Sequence, residues 1–165
     1  MAVAYLGLGS NLGNRLAFLR GGRDSLTSRF DITLLRASGV YETEAVGGPP
    51  DNPAFLNAVL EIETPLEPRA LLAACLAVED EFGRTRPMEW APRTLDIDLL
   101  LYGDLVISEP DLRIPHPRLH ERAFVLAPLG ELAPDLIHPD FHATIRALAT
   151  ALPLPPELAP LRATW

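Results

Sequence analysis

Two segments in the middle of the chain alternate between apolar and polar positions. Between residues 55 and 64, every second side chain is aliphatic: Leu56, Ala58, Leu60 and Ile62. Between residues 94 and 102 the same period recurs: Leu95, Ile97, Leu99 and Leu101. A period of two is typical of a strand with one buried face. We therefore predict two strands whose other faces carry more polar side chains, in chain order Phe55, Asn57, Val59, Glu61 and Glu63, then Asp96, Asp98, Leu100 and Tyr102.

A helical period follows the first of these strands. From Pro68 onward the apolar side chains recur every three to four positions: Leu71, Leu72, Cys75, Leu76 and Phe82. Because proline suits the first turn of a helix and glycine its end, the pattern predicts a helix bounded by Pro68 and Gly83. A weaker helical pattern, which Gly21 and Gly22 interrupt, covers residues 15–29. The remaining predictions are strands at 3–8 and 33–43, a short strand near 105–107, a helical turn near 121–126 and a helix near 143–151.

The order of these elements, β-α-β-β-α-β, is typical of a ferredoxin-like sandwich. We therefore predict an α+β fold in which an antiparallel sheet carries helices on one face, with an added C-terminal region. The length of 165 residues favours a single domain covering residues 1–165. In this fold the aliphatic strand faces meet the helices. The opposite face of the sheet would then bring together an aromatic ring, an amide and two carboxylates: Phe55, Asn57, Asp96 and Asp98.

The carboxylates of Asp96 and Asp98 are the strongest local signal for chemistry. Residues two apart on a strand lie on the same face, about 7 Å from each other. Two anions at that separation repel, and a divalent cation removes the repulsion. Magnesium commonly binds one or two carboxylates together with water and substrate phosphates. The alternative interpretation, two surface aspartates on a solvated sheet edge, stays open from these two residues alone.

Arginines surround this pair in the sequence. Six of the chain's fourteen arginines fall between residues 84 and 122, among them Arg84, Arg93 and Arg122, and His116 and His120 lie in the same stretch. The planar guanidinium matches phosphate oxygens, so carboxylates and arginines together suit phosphoryl transfer. The alternative is that these arginines form ion pairs with some of the chain's twenty-two acidic residues and bind no phosphate. Because the chain has no lysine, a Walker A site and a Schiff-base site are excluded.

Composition excludes several other classes of protein. The net charge of −8 argues against nucleic-acid binding. A single cysteine, Cys75, rules out an internal disulfide, and we expect it in the core. No apolar run approaches the length of about 18 residues that a membrane span needs, and the basic region of a signal peptide is missing, so we expect a cytoplasmic protein. The glycines of segment 7–13 do not match the G-x-G-x-x-G spacing, which favours a plain strand-to-helix turn.

Several longer motifs cover nearly the full chain: AYLGLGSNLGNR, YETEAVG, DNPAFLNAVLEIET, EDEFGRTR, WAPRTLDIDLLLYGD and IPHPRLHERAFVLAPLGELAPDLIHP. Together they resemble the 6-hydroxymethyl-7,8-dihydropterin pyrophosphokinase family. The combination of PRTLDIDLLLYG with PHP and ERAFVLAPL is highly specific. The resemblance implies a ferredoxin-like fold and an enzyme of folate biosynthesis. Such an enzyme transfers pyrophosphate from ATP to the hydroxymethyl group of the pterin and releases AMP.

The resemblance also implies roles for individual residues. Asp96 and Asp98 would hold two magnesium ions that bridge the phosphates of the co-substrate ATP, and they would be catalytic together with Arg84 and Arg93. The residues implied for ATP binding are Glu79, Arg84, Arg93, His116 and Arg122. The residues implied for pterin binding are Thr43, Val46, Phe55, Asn57, Trp90 and Phe124. From position alone, Glu79 is equally well interpreted as an ordinary surface carboxylate.

Some features depart from the family pattern, and other functions stay open. Loop 84–90 looks one residue shorter than in other members and carries Glu89 before Trp90, which bears on how the loop closes over the substrates. A nuclease or polymerase-like palm also uses paired aspartates on such a sheet, although the acidic net charge argues against it. A regulatory module that binds a small ligand without catalysis is a further alternative. We expect a monomer whose partners are ATP and the pterin, with no nucleic acid and no membrane.

Overall fold

The computed structural model describes residues 1–44, 53–83, 94–152 and 159–165. The strands are β1 Ala2–Ser10, β2 Thr33–Ala37, β3 Tyr41–Thr43, β4 Phe55–Thr64, β5 Asp96–Tyr102, β6 Ile107–Glu109 and β7 Leu112–Ile114. The helices are α1 Arg15–Arg29, α2 Pro68–Glu81, α3 Ala123–Leu132 and α4 Ile145–Ala151, with a 3-10 turn at Leu119–Glu121. Among the described residues, none of the helices combines the length and the apolar character needed to cross a bilayer.

The main sheet is antiparallel, with the strand order β2-β4-β1-β5. The short strand β3 also pairs with β4, beyond the end of β2, and β6 and β7 form a separate hairpin. The chain order of strands and helices confirms the predicted ferredoxin-like α+β fold. Strand β1 is central, and its nine residues pair in register with β4 on one side while β5 lies on the other.

The larger core lies between the sheet and helices α1 and α2. Its strand side chains are the aliphatic face predicted from the alternation in β4, joined by Leu19 and Leu26 of α1 and Leu71 of α2. Leu76, which falls on the predicted apolar stripe of α2, is instead 39% exposed. Helix α1 begins where the Asn14 side chain accepts the Ala17 N–H at 3.2 Å, which satisfies one of the helix's orphan donors. Helix α2 begins with Pro68, and Gly83 adopts a positive φ of 76° just beyond its end, as the sequence predicts.

The added C-terminal region covers part of the opposite sheet face. Helices α3 and α4 bury a second cluster against Tyr5, Val59, Leu100 and Leu101. This cluster occupies only one end of that face. The other end carries Asn57, Asp96 and Asp98, so the ring, the amide and the carboxylates predicted to share a face lie next to the second cluster.

A β-bulge near the end of β5 reverses the faces on which its last side chains lie, compared with the prediction. Leu6 pairs with Leu99, but the next residue back, Tyr5, pairs with Leu101, so Leu100 is an extra residue in the strand. As a result Leu101 joins Leu100 in the second cluster. Tyr102 packs instead against the larger core. The prediction that Leu101 shares a face with Leu99 is therefore wrong, whereas Asp96 and Asp98 precede the bulge and keep the predicted facing.

Further boundaries differ from the predictions. The short strand expected near 105–107 is β6 at Ile107–Glu109, and the turn expected near 121–126 is the longer helix α3. The strand predicted at 33–43 is broken into β2 and β3, with residues 38–40 between them. The glycines at the end of β1 were predicted to begin a turn, but the strand continues through Ser10. Gly7 and Gly9 pair with β4 on one side and β5 on the other. This pairing keeps them in an extended conformation, although glycine has a low intrinsic preference for strands.

Candidate active site

Gly9 on β1 forms the floor of the candidate site, whereas the side chain of Leu100 lies against Gly7. Gly9 pairs with Asn57 of β4 on one side and with Asp96 of β5 on the other. Gly7 pairs with Asp98 in the same way. Directly opposed residues of antiparallel strands project from the same face. The central strand therefore contributes no side chain between Asn57 and the two carboxylates, and a shallow trough separates them.

The trough at Gly9 is already narrow on the side of β4. A Cβ at Gly9 would lie 3.2 Å from Asn57 Oδ1 and 3.6 Å from Phe55 Cδ1. The side chains of Phe55 and Asn57 therefore lean over β1 towards β5. Because Gly9 has no side chain, Asn57 and Phe55 can occupy the space beside it, a packing role for this glycine that turn propensity alone did not reveal.

Helix α2 holds the carboxylate-bearing strand from its outer edge. The Ile97 N–H donates to Glu79 Oε2 at 2.7 Å, and Glu79 is only 2% exposed. Ile97 lies between Asp96 and Asp98 on the edge strand of the sheet. A hydrogen bond from a backbone N–H to a carboxylate is charge-assisted and therefore strong. Glu79 thus fixes the backbone between the two aspartates, a role that its position in the sequence did not reveal.

Arg122 joins the carboxylates to the aromatic part of the site. Its Nη1 lies 3.7 Å from Asp98 Oδ2, and its guanidinium carbon lies 5.5 Å from the ring centroid of Phe124. Burial lowers the pKa of Arg122, while the negative charge of Asp98 acts in the opposite direction. The Asp98 side chain remains 40% exposed, so a ligand can reach it. The start of α3 therefore places a guanidinium and an aromatic ring beside the aspartate pair.

His116 approaches the same carboxylate from the segment after β7. Its backbone N–H donates to the Leu100 carbonyl at 2.9 Å, which fixes it to the end of β5. Its ring Nδ1 accepts the Arg118 N–H at 3.2 Å, so in the neutral ring Nε2 carries the proton. Burial lowers the pKa of His116; Asp98 raises it, and Arg122 and Arg118 lower it further. At neutral pH this imidazole is an uncharged N–H donor.

The opposite wall of the trough is formed by β3 and β4. Asn57 is buried, and its Nδ2 donates to Thr43 Oγ1 at 2.8 Å. This bond orients the amide so that Oδ1 faces Gly9. Thr43 is itself positioned by pairing with Phe55. Thr43, Phe55 and Asn57, which the resemblance groups together, are therefore neighbours in the structure.

Asn11 and Arg15 hold the chain that enters β4, and sequence reasoning assigned neither a role. Asn11 is buried, and its Nδ2 donates to the Pro53 carbonyl at 3.0 Å. Arg15 Nη1 donates to the Ala54 carbonyl at 2.9 Å and lies 2.8 Å from Glu42 Oε2. These contacts join the start of α1 to the residues just before Phe55. The sequence signal for them is their place in the motif AYLGLGSNLGNR, which carries the family resemblance.

Four of the predicted site residues lie outside the described residues: Val46, Arg84, Trp90 and Arg93. The shortened loop 84–90 lies there as well. Their roles stay predictions. The described part of the site consists of Thr43, Phe55, Asn57, Glu79, Asp96, Asp98, His116, Arg122 and Phe124.

The donor set suits a hard divalent cation that shares its coordination with a ligand. Within the described ranges, no group of three or more His, Cys, Asp or Glu side chains could enclose a metal. Asp96 and Asp98 offer oxygen donors from one side only. This arrangement fits magnesium, which retains waters and takes up substrate phosphate oxygens. It does not fit structural zinc, which needs four closely placed nitrogen or sulfur ligands.

Fold and site together define a small α+β protein with an aromatic ring, an amide and two carboxylates on one face of its sheet. A family model described as 7,8-dihydro-6-hydroxymethylpterin-pyrophosphokinase (HPPK) matches residues 5–134. The chain belongs to this family. It is 44% identical over 137 residues to the 2-amino-4-hydroxy-6-hydroxymethyldihydropteridine pyrophosphokinase of Methylorubrum extorquens, covering 83% of this chain and 86% of the relative. It is 45% identical over 130 residues to the enzyme of the same name from Bacillus subtilis, covering 79% and 77%.

Solved structures show the same fold. An HPPK-DHPS crystal structure in complex with substrates superposes with a TM-score of 0.70 at 14% identity, covering 91% of this chain and 43% of that chain. Wild-type Plasmodium falciparum HPPK-DHPS gives a TM-score of 0.70 at 16% identity, covering 90% and 44%. This chain thus spans less than half the length of those proteins. At these identities the likeness establishes the fold alone.

We predict that His116 in the ligand-free protein titrates below the ordinary value of 6.5. Burial disfavours its charged form, and the nearby Arg122 guanidinium disfavours it further. Arg122→Gln removes a positive charge and should therefore raise the pKa of His116. The measurement is an NMR titration of the imidazole signals. His138, whose pKa is also lowered by burial, serves as the control and should not respond. A His116 midpoint above 6.5, or one that ignores the substitution, would contradict this electrostatic assignment.

Proposed function

We propose that this chain transfers the pyrophosphoryl group of ATP to the hydroxymethyl group of 6-hydroxymethyl-7,8-dihydropterin, with release of AMP, and that it requires magnesium. Family membership supports the transfer and its place in folate biosynthesis. The single structural observation that supports the chemistry is the alignment of Asn57, Gly9 and Asp96 across three strands. It leaves a flat recess, the trough described above, between the wall formed by β3 and β4 and the pair of carboxylates.

Asp96 and Asp98 are the residues we assign to two magnesium ions. Bound there, the ions would neutralise phosphate charge and polarise the phosphate oxygens as Lewis acids. The contribution of the protein is to hold the two carboxylates in place. Glu79 does so through the N–H of Ile97, so we assign it a positioning role beside its implied contact with ATP.

Arg122 and His116 are the described residues we assign to the phosphates of ATP. The guanidinium provides a planar pair of donors, and the neutral imidazole offers its Nε2–H. Both lie beside Asp98 and can contact phosphate oxygens held there. We assign Arg84 and Arg93 to the same phosphates, because the family resemblance implies that role for them. Fixed donors aimed at developing charge stabilise the transition state of such a transfer.

The pterin belongs in the recess over Gly9. Phe55 and Phe124 would stack on the two faces of its ring, and Asn57 would read its polar edge. The bond to Thr43 turns Asn57 Oδ1 into the recess, where it can accept from the N–H groups of the pterin. We assign Thr43, Val46 and Trp90 to the remaining contacts. The hydroxymethyl oxygen then bonds to the β-phosphorus and gives up its proton to solvent. The bond from that phosphorus to the oxygen bridging the α- and β-phosphates breaks, and AMP leaves with that oxygen.

The reaction needs positioning and charge stabilisation rather than covalent catalysis. Cys75, the chain's single cysteine, is fully buried, and burial raises the pKa of its thiol well above the ordinary range. The charges of Glu79 and Asp98 raise it further. A thiol that stays protonated in the core is a poor nucleophile. Direct in-line transfer between the two substrates is therefore the mechanism that these residues favour.

The proposal is tested by analysing the nucleotide product. Incubation of the protein with ATP, magnesium and 6-hydroxymethyl-7,8-dihydropterin should give AMP and pterin pyrophosphate in equal amounts, without ADP. Removal of the metal with EDTA should abolish the reaction, and added magnesium should restore it. Pterin-dependent ADP would indicate an ordinary kinase. The absence of turnover would indicate a domain that binds its ligand without catalysis.

We predict that Asp96→Asn and Asp98→Asn each lower kcat by about a thousandfold or more while the protein stays folded. Each substitution removes a carboxylate needed for metal binding, and it also relieves the repulsion between two anions on one sheet face. Steady-state assays and thermal unfolding measure the two effects. Asp104→Asn, in the exposed turn after the same strand, is the matched control and should retain activity. Loss of the folded state in the site variants would show that the pair is structural, and full activity would show that the reaction does not need these carboxylates.

A further inference from the structure

Segment 159–165 packs against the break between β2 and β3. Arg162 forms a bridge with Val40: the Val40 N–H donates to the Arg162 carbonyl at 2.8 Å, and the Leu161 N–H donates to the Val40 carbonyl at 2.6 Å. The contact is close, because a Cβ at Gly39 would lie 2.8 Å from Pro160 Cβ and 2.9 Å from the Arg162 carbonyl. The segment thus covers the outer edge of the sheet where its edge strand is interrupted.

Ser38 keeps the interrupted strand attached to β4. Its N–H donates to the Val59 carbonyl at 2.9 Å, and its Oγ accepts the Val59 N–H at 2.8 Å. The hydroxyl thereby replaces a main-chain acceptor in the ladder and donates to the Gly39 carbonyl. Because the side chain takes over this pairing, the Ser38 carbonyl is available to accept the indole Nε1–H of Trp165 at 2.7 Å.

Trp165 is itself anchored from helix α1. The Arg23 guanidinium carbon lies 4.9 Å from the centroid of the indole ring, and Arg23 Nη1 donates to the backbone oxygen of Trp165. A guanidinium over an indole face is a favourable cation–π contact. Trp165 therefore connects the α1 side of the molecule to the Ser38 carbonyl.

The segment held in this way leads directly into the pterin side of the candidate site. Gly39 N–H and Tyr41 Oη both donate to the Glu131 carboxylate of α3, at 3.1 and 2.8 Å. Tyr41 begins β3 and pairs with Asn57, and Thr43 ends it beside Phe55. Helix α3 also carries Phe124 in its first turn. Residues 38–41 are thus tied to both walls of the recess.

We propose that segment 159–165, through Trp165, is a positioning element that sets the pterin-binding wall of the site. By holding the Ser38 carbonyl and Val40, it fixes where β3 begins, and β3 places Thr43 against the amide of Asn57. Trp165 touches neither substrate in this arrangement. The inference rests on the proposed function, because it takes Thr43 and Asn57 as pterin-binding residues.

The test compares Trp165→Ala and Trp165→Phe with Leu161→Ala in the chain of residues 1–165. Leu161 lies in the same segment, but its side chain is 63% exposed, which makes it the matched control. We expect Trp165→Ala to raise the KM for the pterin about tenfold, while the KM for ATP stays within about twofold. Trp165→Phe keeps a ring over Arg23 but loses the donor to Ser38, so we expect an intermediate increase of about threefold. Leu161→Ala should leave both constants unchanged.

Thermal unfolding of each variant separates positioning from general stability. A selective rise in the pterin KM, measured well below the unfolding temperature, supports the proposal. Equal losses for ATP and pterin, or a lowered unfolding temperature with an unchanged pterin KM, would overturn it. If Trp165→Ala does not fold, Trp165→Phe decides. Failure of the proposed function is a separate result, because the unsubstituted protein would then form no AMP with the pterin.

Discussion

The candidate site depends on a bare central strand. Gly7 and Gly9 lie in the interior of β1, where glycine costs about 0.5–1 kcal/mol relative to alanine. The long ladders to β4 and β5 on either side compensate for this loss of propensity. A side chain at Gly9 would crowd Asn57 and Phe55, and it would stand between them and Asp96. The register of three antiparallel strands therefore determines both the separation and the common facing of the ring-binding and carboxylate-bearing walls.

A polar network around Glu61 ties helix α3 to the sheet. Tyr5 Oη donates to Glu61 Oε2 at 2.6 Å, and Arg36 donates to both carboxylate oxygens at 3.1 and 2.9 Å. The hydrogen bonds from Arg36 are the largest cause that lowers the pKa of Glu61. Arg36 Nη2 also donates to the Leu132 carbonyl at the end of α3, at 2.6 Å. Because the last turn of α3 is held by the sheet, its first turn presents Arg122 and Phe124 at a defined place.

Local patterns in the sequence were sufficient to predict the common face of the site. The alternation in β4 and β5 put Asn57 and Asp96 on the face away from α1 and α2, and the strand pairing bears this out. The order of elements predicted the topology for a similar reason, since each long element has a clear period. Capping residues predicted both ends of α2 equally well, with Pro68 at its start and Gly83 just beyond its end.

The features that sequence reasoning missed depend on contacts between distant residues. The run of three leucines before Tyr102 gives no sign of the bulge at Leu100, because either facing buries an apolar side chain. The break after Ala37 depends on the Ser38 hydroxyl and on Trp165, which lies 127 positions away in the chain. The role of Glu79 depends on a backbone N–H of another element. A period along one strand or helix carries no information about such partners.

The most direct test of this account is a crystal structure of the protein with Mn²⁺, a non-hydrolysable ATP analogue and 6-hydroxymethyl-7,8-dihydropterin, with anomalous data collected at the manganese edge. The account predicts anomalous peaks coordinated by the carboxylates of both Asp96 and Asp98. It also predicts that the pterin ring lies over Gly9, between Phe55 and Phe124, with its polar edge on Asn57. A metal bound away from the aspartate pair, or a pterin outside this recess, would contradict the account.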